Sequence, residues 1–296
     1  MSASRILVIG RAGQLARALA TAAKARGIAL DAAGRETLDL ADPSSLQPRL
    51  MQRLQADRPD VVINAAAYTA VDAAESDAEA ATRLNAEAPG VLAQACSDAG
   101  VPLIHVSTDY VFSGEPGRAW RETDATAPLS VYGASKLAGE ENVRQACTQH
   151  LIVRTAWLFS ALPPNFMTTM IKLARTRSEI AVVDDQIGSP TPAAGLADAL
   201  LTMAQSAADR RAPWGLYHYA GDTQISWAGF AARILETAGL TTCSVRPIPG
   251  SQYPTAARRP AWSVLDSSRA HEAFDCPPAD FQSGLDLAVR DFLHAT

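Results

Sequence analysis

Strand-like and helix-like segments alternate along the first half of this chain, with short connections between them. "RILVIG" (5–10) is a β-rich run, and "GQLARALATAAKARG" (13–27) is an alanine- and leucine-rich helical stretch with a stop at Gly27. "IALDAAG" (28–34) reads as a second strand. Asp42 before Pro43 supplies an N-cap and a first-turn proline, so a helix is expected from there to about Ala56. "DVVINAAA" (60–67) shows no polar alternation until its end, the pattern of a strand covered on both faces. A helical stretch to about residue 99 and a fourth strand in the first half of "PLIHVSTDYVF" (102–112) complete the series. Such alternation builds an α/β fold, a Rossmann-type doubly wound parallel sheet with helices on both faces. These sheets receive ligands at the carboxyl ends of their strands. Gly10, Ala65–Ala67 and Ser107–Asp109 are therefore expected along one edge.

Beyond residue 155 the rhythm loosens and prolines cluster at 163–164, 190–192, 247–260 and 277–278. "IAVVDDQ" (180–186) and "GLYHYAG" (215–221) look like strands, and "SWAGFAARILETAG" (226–239) like a helix capped by Ser226 and stopped at Gly239. The expected division is a dinucleotide-binding domain over 1–156 and a smaller C-terminal α/β substrate lobe over 157–296. Segments near 180–220 are expected to return to the main sheet. A length of 296 residues suits two such lobes, and 48% hydrophobic residues suffice for a sizeable core.

Charged residues make up 19% and the net charge is −5, which argues against nucleic acid as the main partner. No apolar run approaches the ~20 residues of a membrane span. "MSASRILVIG" runs straight into a strand, without the apolar stretch and cleavage site of a secretory signal. Cys96, Cys147, Cys243 and Cys276 are far apart and form no C-x-x-C pair. Reduced thiols in a cytoplasmic protein are the expected state.

"IGRAGQLA" sets Gly10 and Gly13 between the first strand and the first helix. Gly10 permits the turn, and Gly13 lets the backbone approach a pyrophosphate at the free N–H groups of the helix start. Ala16 stands in the third small position. The pattern is loose, but its place after an N-terminal strand is the context that gives it meaning. Gly10, Ala12, Gly13, Gln14 and Leu15 are the expected contacts to a dinucleotide. At the end of the second strand Arg35 suits a 2′-phosphate, which favours NADPH, with NADH as the alternative. Its bland counterpart is a solvated surface arginine. Asp39 and Leu40 are placed to line the adenine.

The fourth strand ends in Ser107, Thr108, Asp109 and Tyr110, polar tips that a core strand has little reason to carry. In "PLSVYGASKLAGEEN" (128–142), Tyr132 and Lys136 share a helix face because four residues make about one turn. A tyrosine titrates near ~10, and a neighbouring ammonium eases its proton exchange. Alone, Y-x-x-x-K is common by chance. With a hydroxyl-tipped strand and a phosphate loop upstream, it suits reduction of a carbonyl. Thr108 would polarise the carbonyl, Tyr132 protonate it, and Lys136 tune Tyr132 and hold the nicotinamide ribose.

These residues resemble the extended branch of the short-chain dehydrogenase/reductase superfamily. The ordered blocks "NAAAYTAVDAAESD" (64–77), "NAEAP" (85–89), "HVSTDYVFSG" (105–114), "ETDATAPLSVYGASKLAGE" (122–140), "RTAWLF" (154–159), "DDQIGSPT" (184–191) and "YPTAARRPAWSVLD" (253–266) resemble more closely the dTDP-4-dehydrorhamnose reductase family. The resemblance runs from about residue 5 to 293 and implies NADPH-dependent reduction of a 4-keto sugar nucleotide, dTDP-4-dehydrorhamnose. It implies Thr108, Tyr132 and Lys136 as the catalytic triad, and Ala65, Ala66, Ala67 and Tyr68 beside the cofactor. It implies Val71, Asp109, Tyr110 and Trp157 around the sugar, and Asn165, Gln186, Arg258 and Arg259 at the nucleotide diphosphate. Related readings are a reductase giving a 6-deoxytalose nucleotide, an epimerase, and a non-catalytic NADP-binding subunit.

Some relatives dimerise around a metal through a glutamate near the start of the first helix. Here Ala18 occupies that place, and "PAAGLAD" (192–198) offers no carboxylate before Asp198. A monomer or homodimer without a bridging metal is expected. His105, His150, His218, His271 and His294 lack metal-ligand spacing. His105, inside an apolar strand, reads as a satisfied core residue.

Overall fold

The structure is a computed structural model that describes residues 4–115 and 117–295. The first half consists of β1 (Arg5–Ile9), α1 (Gln14–Ala25), β2 (Ala29–Ala33), α2 (Pro43–Asp57) and β3 (Val61–Asn64). A broken helical run follows: α3 (Val71–Ala74), α4 (Ala78–Thr82), a π-helical turn (Arg83–Glu87) and α5 (Ala88–Ala99). Then come β4 (Leu103–Thr108), a 3-10 turn (Asp109–Val111), α6 (Val131–Ala146) and β5 (His150–Thr155). Local chemistry sets the helix starts: Asp42 caps α2 through the Ser45 N–H, and the Ser130 hydroxyl accepts the Gly133 N–H at the start of α6.

The second half contains β6 (Leu158–Phe159), α7 (Phe166–Ala174), β7 (Glu179–Val183), β8 (Ile187–Gly188), β9 (Thr191–Pro192) and α8 (Ala193–Ala208). It continues through β10 (Gly215–His218), β11 (Ile225–Ser226), α9 (Trp227–Thr237), β12 (Ser244–Ile248), α10 (Ser268–Phe274) and α11 (Phe281–Ala295).

Six parallel strands form the central sheet in the order β10-β5-β4-β3-β1-β2. One face is covered by α1 and α8, through Leu15, Leu19, Leu196 and Leu200. The other is covered by α2, α5 and α6, through Leu46, Leu50, Leu92 and Val143. Both faces are therefore dry, and every residue of β3 is buried. Of the segments between 180 and 220, Gly215–His218 joins the sheet beside β5, whereas Glu179–Val183 pairs with β12. The remaining C-terminal elements enclose a separate core of Phe159, Met167, Ile171, Phe230, Ile234 and Phe292.

The chain leaves β1 in one direction to β2 and crosses in the other to reach β3. The carboxyl ends of β1 and β3 thus flank a topological switch point, where open α/β sheets form their binding crevice. No described helix is long and apolar enough to cross a membrane. Among the described residues, no group of three His, Cys, Asp or Glu could hold a metal ion.

Candidate active site

Gly10 lies at the switch point with φ +107, a conformation that L side chains rarely adopt. Its N–H donates to Ala33 O at 2.8 Å, and a Cβ added there would touch Ala66 at 3.4 Å. Gly13 is the N-cap of α1, makes no side-chain cap and has open space where a Cβ would stand. The first turn of α1 therefore presents backbone N–H groups with no side-chain acceptor, an anion cradle that fits a pyrophosphate. Ala12 and Gly13 are exposed, and the Leu15 side chain is packed in the core. The Gln14 amide oxygen accepts from Ser160 Oγ at 2.8 Å and Asn165 Nδ2 at 3.0 Å, tying the loop to the C-terminal lobe.

Past β2, Arg35 is exposed and makes no ion pair among the described residues, while its neighbour Glu36 pairs with Arg11 at 2.8 Å. Asp39 is half-buried and accepts the Ala41 N–H, and Leu40 is buried. Ala65, Ala66, Ala67 and Tyr68 leave β3 half-buried along the same crevice. Asn85, in the π-helical turn, accepts the Tyr68 N–H and donates to Tyr68 O and Ser135 Oγ, so one buried amide fixes this edge against α6. Such turns recur at functional sites.

Thr108 ends β4, and Tyr132 lies in the first turn of α6 with Lys136 one turn further on. The Thr108 hydroxyl donates to Asp109 Oδ1 at 3.0 Å and accepts the Tyr110 N–H. Tyr132 meets Tyr110 edge to face, with ring centroids 5.6 Å apart. Burial pushes the Tyr132 phenol up to about 12, against a lowering hydrogen bond from Thr108. Lys136 is 2% exposed and donates to Val106 O at 2.8 Å. Burial brings it down to about 8, while Glu140 acts to raise it. The sequence suggested that Lys136 tunes Tyr132. The Lys136 Nζ is turned to the β4 backbone, and the Thr108 hydrogen bond is what lowers the phenol. Asp109 is also raised, to about 7, by burial, with the Ser263 and Thr108 hydroxyls opposing. Its Oδ2 atom is buried without a hydrogen-bond partner.

Beneath this edge lies a charged brace. Arg154 of β5 makes two hydrogen bonds to Glu140 of α6, at 2.8 and 2.7 Å, both residues being at most 2% exposed. Ser107 Oγ donates to Glu140 at 2.6 Å, and the guanidinium lies over the Phe112 ring.

Just past β5, Trp157 takes φ +47, and its indole stacks on Trp227 with centroids 3.5 Å apart. Trp227 thus closes one indole face. Sequence reading assigned it only to a helix, since nothing local links it to Trp157. Val71 opens α3, and Tyr110 follows Asp109. Arg259 does not stand free: its two guanidinium nitrogens donate to Asp72 at 3.0 and 2.6 Å, and Asp72 also accepts the Ala257 N–H. Arg258 is exposed and makes no ion pair among the described residues, and Gln186 is half-buried. Asn165 has a different use from the one expected. It caps α7 in a capping box and donates to Gln14, Ser160 O and Leu162 O, which occupies its amide. Asp72, Asn85, Trp227 and Ser263 are the site residues that sequence reading did not single out.

Residues 4–294 match the family model described as RmlD substrate binding domain. The chain is 43% identical to a dTDP-4-dehydrorhamnose reductase of Burkholderia thailandensis, covering 98% of this chain and 99% of that protein. It is 38% identical to one from Escherichia coli K12, over 98% and 99%. A solved dTDP-4-dehydrorhamnose reductase from Clostridium acetobutylicum superposes with TM-score 0.89 at 32% identity, covering 99% of this chain and 100% of that one. Another, from Bacillus anthracis in complex with NADP, gives TM-score 0.88 at 32% identity over the same shares. A UDP-glucose 4-epimerase of Thermus thermophilus, at 21% identity and TM-score 0.80, shares the fold. With its match extending over nearly the whole chain, this protein belongs to the dTDP-4-dehydrorhamnose reductase family.

Proposed function

We propose that this protein reduces the carbon-4 ketone of dTDP-4-dehydro-β-L-rhamnose to dTDP-β-L-rhamnose with NADPH, the last step in making that sugar donor for surface polysaccharide. The carrying observation is the meeting of Thr108 and Tyr132 beside an open anion cradle at Gly10 and Gly13, in a chain of this family.

Gly10, Ala12, Gly13 and the first N–H groups of α1 hold the pyrophosphate. Arg35 takes the 2′-phosphate, Asp39 and Leu40 the adenine, and Ala65–Ala67 with Tyr68 the inner edge. NADH is the second cofactor that this pocket admits. The bound nicotinamide supplies the hydride. The Thr108 hydroxyl orients the ketone, and Tyr132 gives its proton to the oxygen as the alcohol forms. The phenol, raised by burial and lowered by its Thr108 hydrogen bond, is protonated at neutral pH and so able to donate. Lys136 holds the nicotinamide ribose and supports proton return to Tyr132.

Val71, Asp109, Tyr110 and the open side of Trp157 shape the sugar subsite. Gln186, Arg258 and Arg259 serve the nucleotide diphosphate. Residues 1–156, with α8 and β10 returned to them, form the cofactor domain. The rest of 157–296 forms the substrate lobe. Four buried free cysteines are in keeping with a reducing cytoplasm. A monomer or homodimer needs no bridging metal.

The test is NADPH oxidation followed optically with the 4-keto sugar nucleotide formed in situ, together with product identification. Oxidation with dTDP-rhamnose as product is expected. A 6-deoxytalose nucleotide, or epimerisation without net oxidation, would overturn the assignment.

A further inference from the structure

Asn64, His105 and Lys136 make a polar chain between β3, β4 and α6. Asn64 and His105 are register partners on adjacent strands, and the three residues are 1%, 0% and 2% exposed. Asn64 Oδ1 accepts the Ala66 N–H at 3.2 Å, so its NH₂ group is the one that faces His105 Nδ1, at 3.1 Å. A neutral imidazole whose Nδ1 accepts carries its proton on Nε2. That Nε2–H faces Lys136 Nζ at 3.4 Å. An ammonium has only donors and cannot accept from it. A neutral amine can accept there while still donating to Val106 O.

We propose that His105, fixed by Asn64 in its Nε2–H tautomer, is a positioning residue for Lys136 that favours the neutral amine in the cofactor-free protein. The functional weight of this rests on the reading of Lys136 given above. Burial, then the charges of Lys136 and His150, hold the His105 imidazole well below its ordinary range, so it stays neutral. The ionisable groups at Lys136 are His105 on β4 and Glu140 on its own helix, with Arg154 of β5 bound to Glu140. Glu140 alone among them acts to raise it, and Arg154 engages both oxygens of that carboxylate. His105 thus supplies a directional contact that adds to burial. Once protonated, Lys136 can no longer accept from His105, while it can still donate to Val106 O.

Nitrogen NMR on the cofactor-free full chain tests the inference without turnover. With labelled histidine, His105 should show a protonated Nε2 and a bare Nδ1 throughout neutral pH. A proton on Nδ1 in the wild type would overturn the proposal, and that measurement needs no variant to fold. The chain has only Lys24, Lys136 and Lys172, so labelled lysine resolves the titration of Nζ. Asn64→Asp replaces the NH₂ donor with an oxygen that must accept, which moves the imidazole proton to Nδ1 and turns Nε2 into an acceptor. Lys136 should then titrate about one pH unit higher, and the alkaline limb of NADPH oxidation should move with it. In a His105→Phe background the same substitution should shift Lys136 by much less. An equal shift in both backgrounds would assign the effect to carboxylate charge alone and remove His105 from the account. Failure of the substrate assay with an intact Nε2–H tautomer would instead sink the catalytic reading.

Discussion

Tyr132 and Asp109 are both pushed by burial toward their protonated forms, with different consequences. For Tyr132 the protonated form is the one a reduction consumes. Tyr132→Phe keeps the ring against Tyr110 and removes only the donor. Its kcat should fall by about 10²–10⁴-fold while NADPH binding, read by fluorescence titration, is unchanged; full activity would move the proton source elsewhere. For Asp109 the raised value is a stability statement. Its folded-state value of about 7 lies above the ordinary 3.8, so the carboxyl's contribution is complete at acid pH and is lost as pH rises through 7. The difference corresponds to on the order of 4 kcal/mol. Asp109→Asn does not titrate. Urea unfolding at pH 5 and pH 8 should show the wild type losing stability relative to this variant as pH rises. Parallel stabilities would mean that the carboxyl is better solvated than its unpartnered Oδ2 implies.

In the proposed function the element that carries the chemistry is α6, and it is held from below as well as by its cap. Glu140, two turns after Tyr132, is the point where Ser107 of β4 and Arg154 of β5 converge. Removing one charge from a buried pair leaves the other uncompensated, which costs about 3–5 kcal/mol. Glu140→Gln should therefore lower the urea midpoint markedly, and a loss below about 1 kcal/mol would place the pair in wetter surroundings than its burial indicates. Elements of this kind were unevenly legible in the sequence. The central strands, α1, α2 and α9 announced themselves through caps, glycine stops and apolar runs, because those signals are local. So did Gly10, Gly13, Tyr132 and Lys136, whose spacing on a turn or a helix is itself the signal. Trp227 behind Trp157, Asn85 clamping Tyr68, and the occupied amide of Asn165 were not legible. Each depends on where two distant segments meet, and no local pattern encodes that. The π-helical turn that aims Asn85 falls inside what the sequence presents as an unbroken helical stretch.

At the scale of the whole molecule, several contacts tie the two halves together, and two of them border the candidate site. Gln14 links the phosphate loop to Ser160 and Asn165, so the cofactor cradle and the start of α7 move together. On the opposite rim, Asp72 holds Arg259 and the Ala257 N–H, fixing the loop 253–260 against α3. The Asp72 carboxyl lies below its usual value, first through the Arg259 hydrogen bond, with burial opposing. Asp72 is nearly half exposed, at 47%, so the pair is screened and contributes only about 0–1 kcal/mol to stability. Its effect belongs to geometry: a two-pronged hold orients the Arg259 guanidinium, which in the proposed function serves the diphosphate, and the exposed Arg258 next to it has no such hold among the described residues. Asp72→Asn keeps the shape but weakens the grip on both Arg259 nitrogens. Thermal stability should change little, while KM for the sugar nucleotide rises several-fold and kcat stays within about twofold, the pattern of lost ground-state binding. A fall in KM would mean instead that Asp72 competes with the diphosphate for Arg259, and that substrate must break this pair in order to bind.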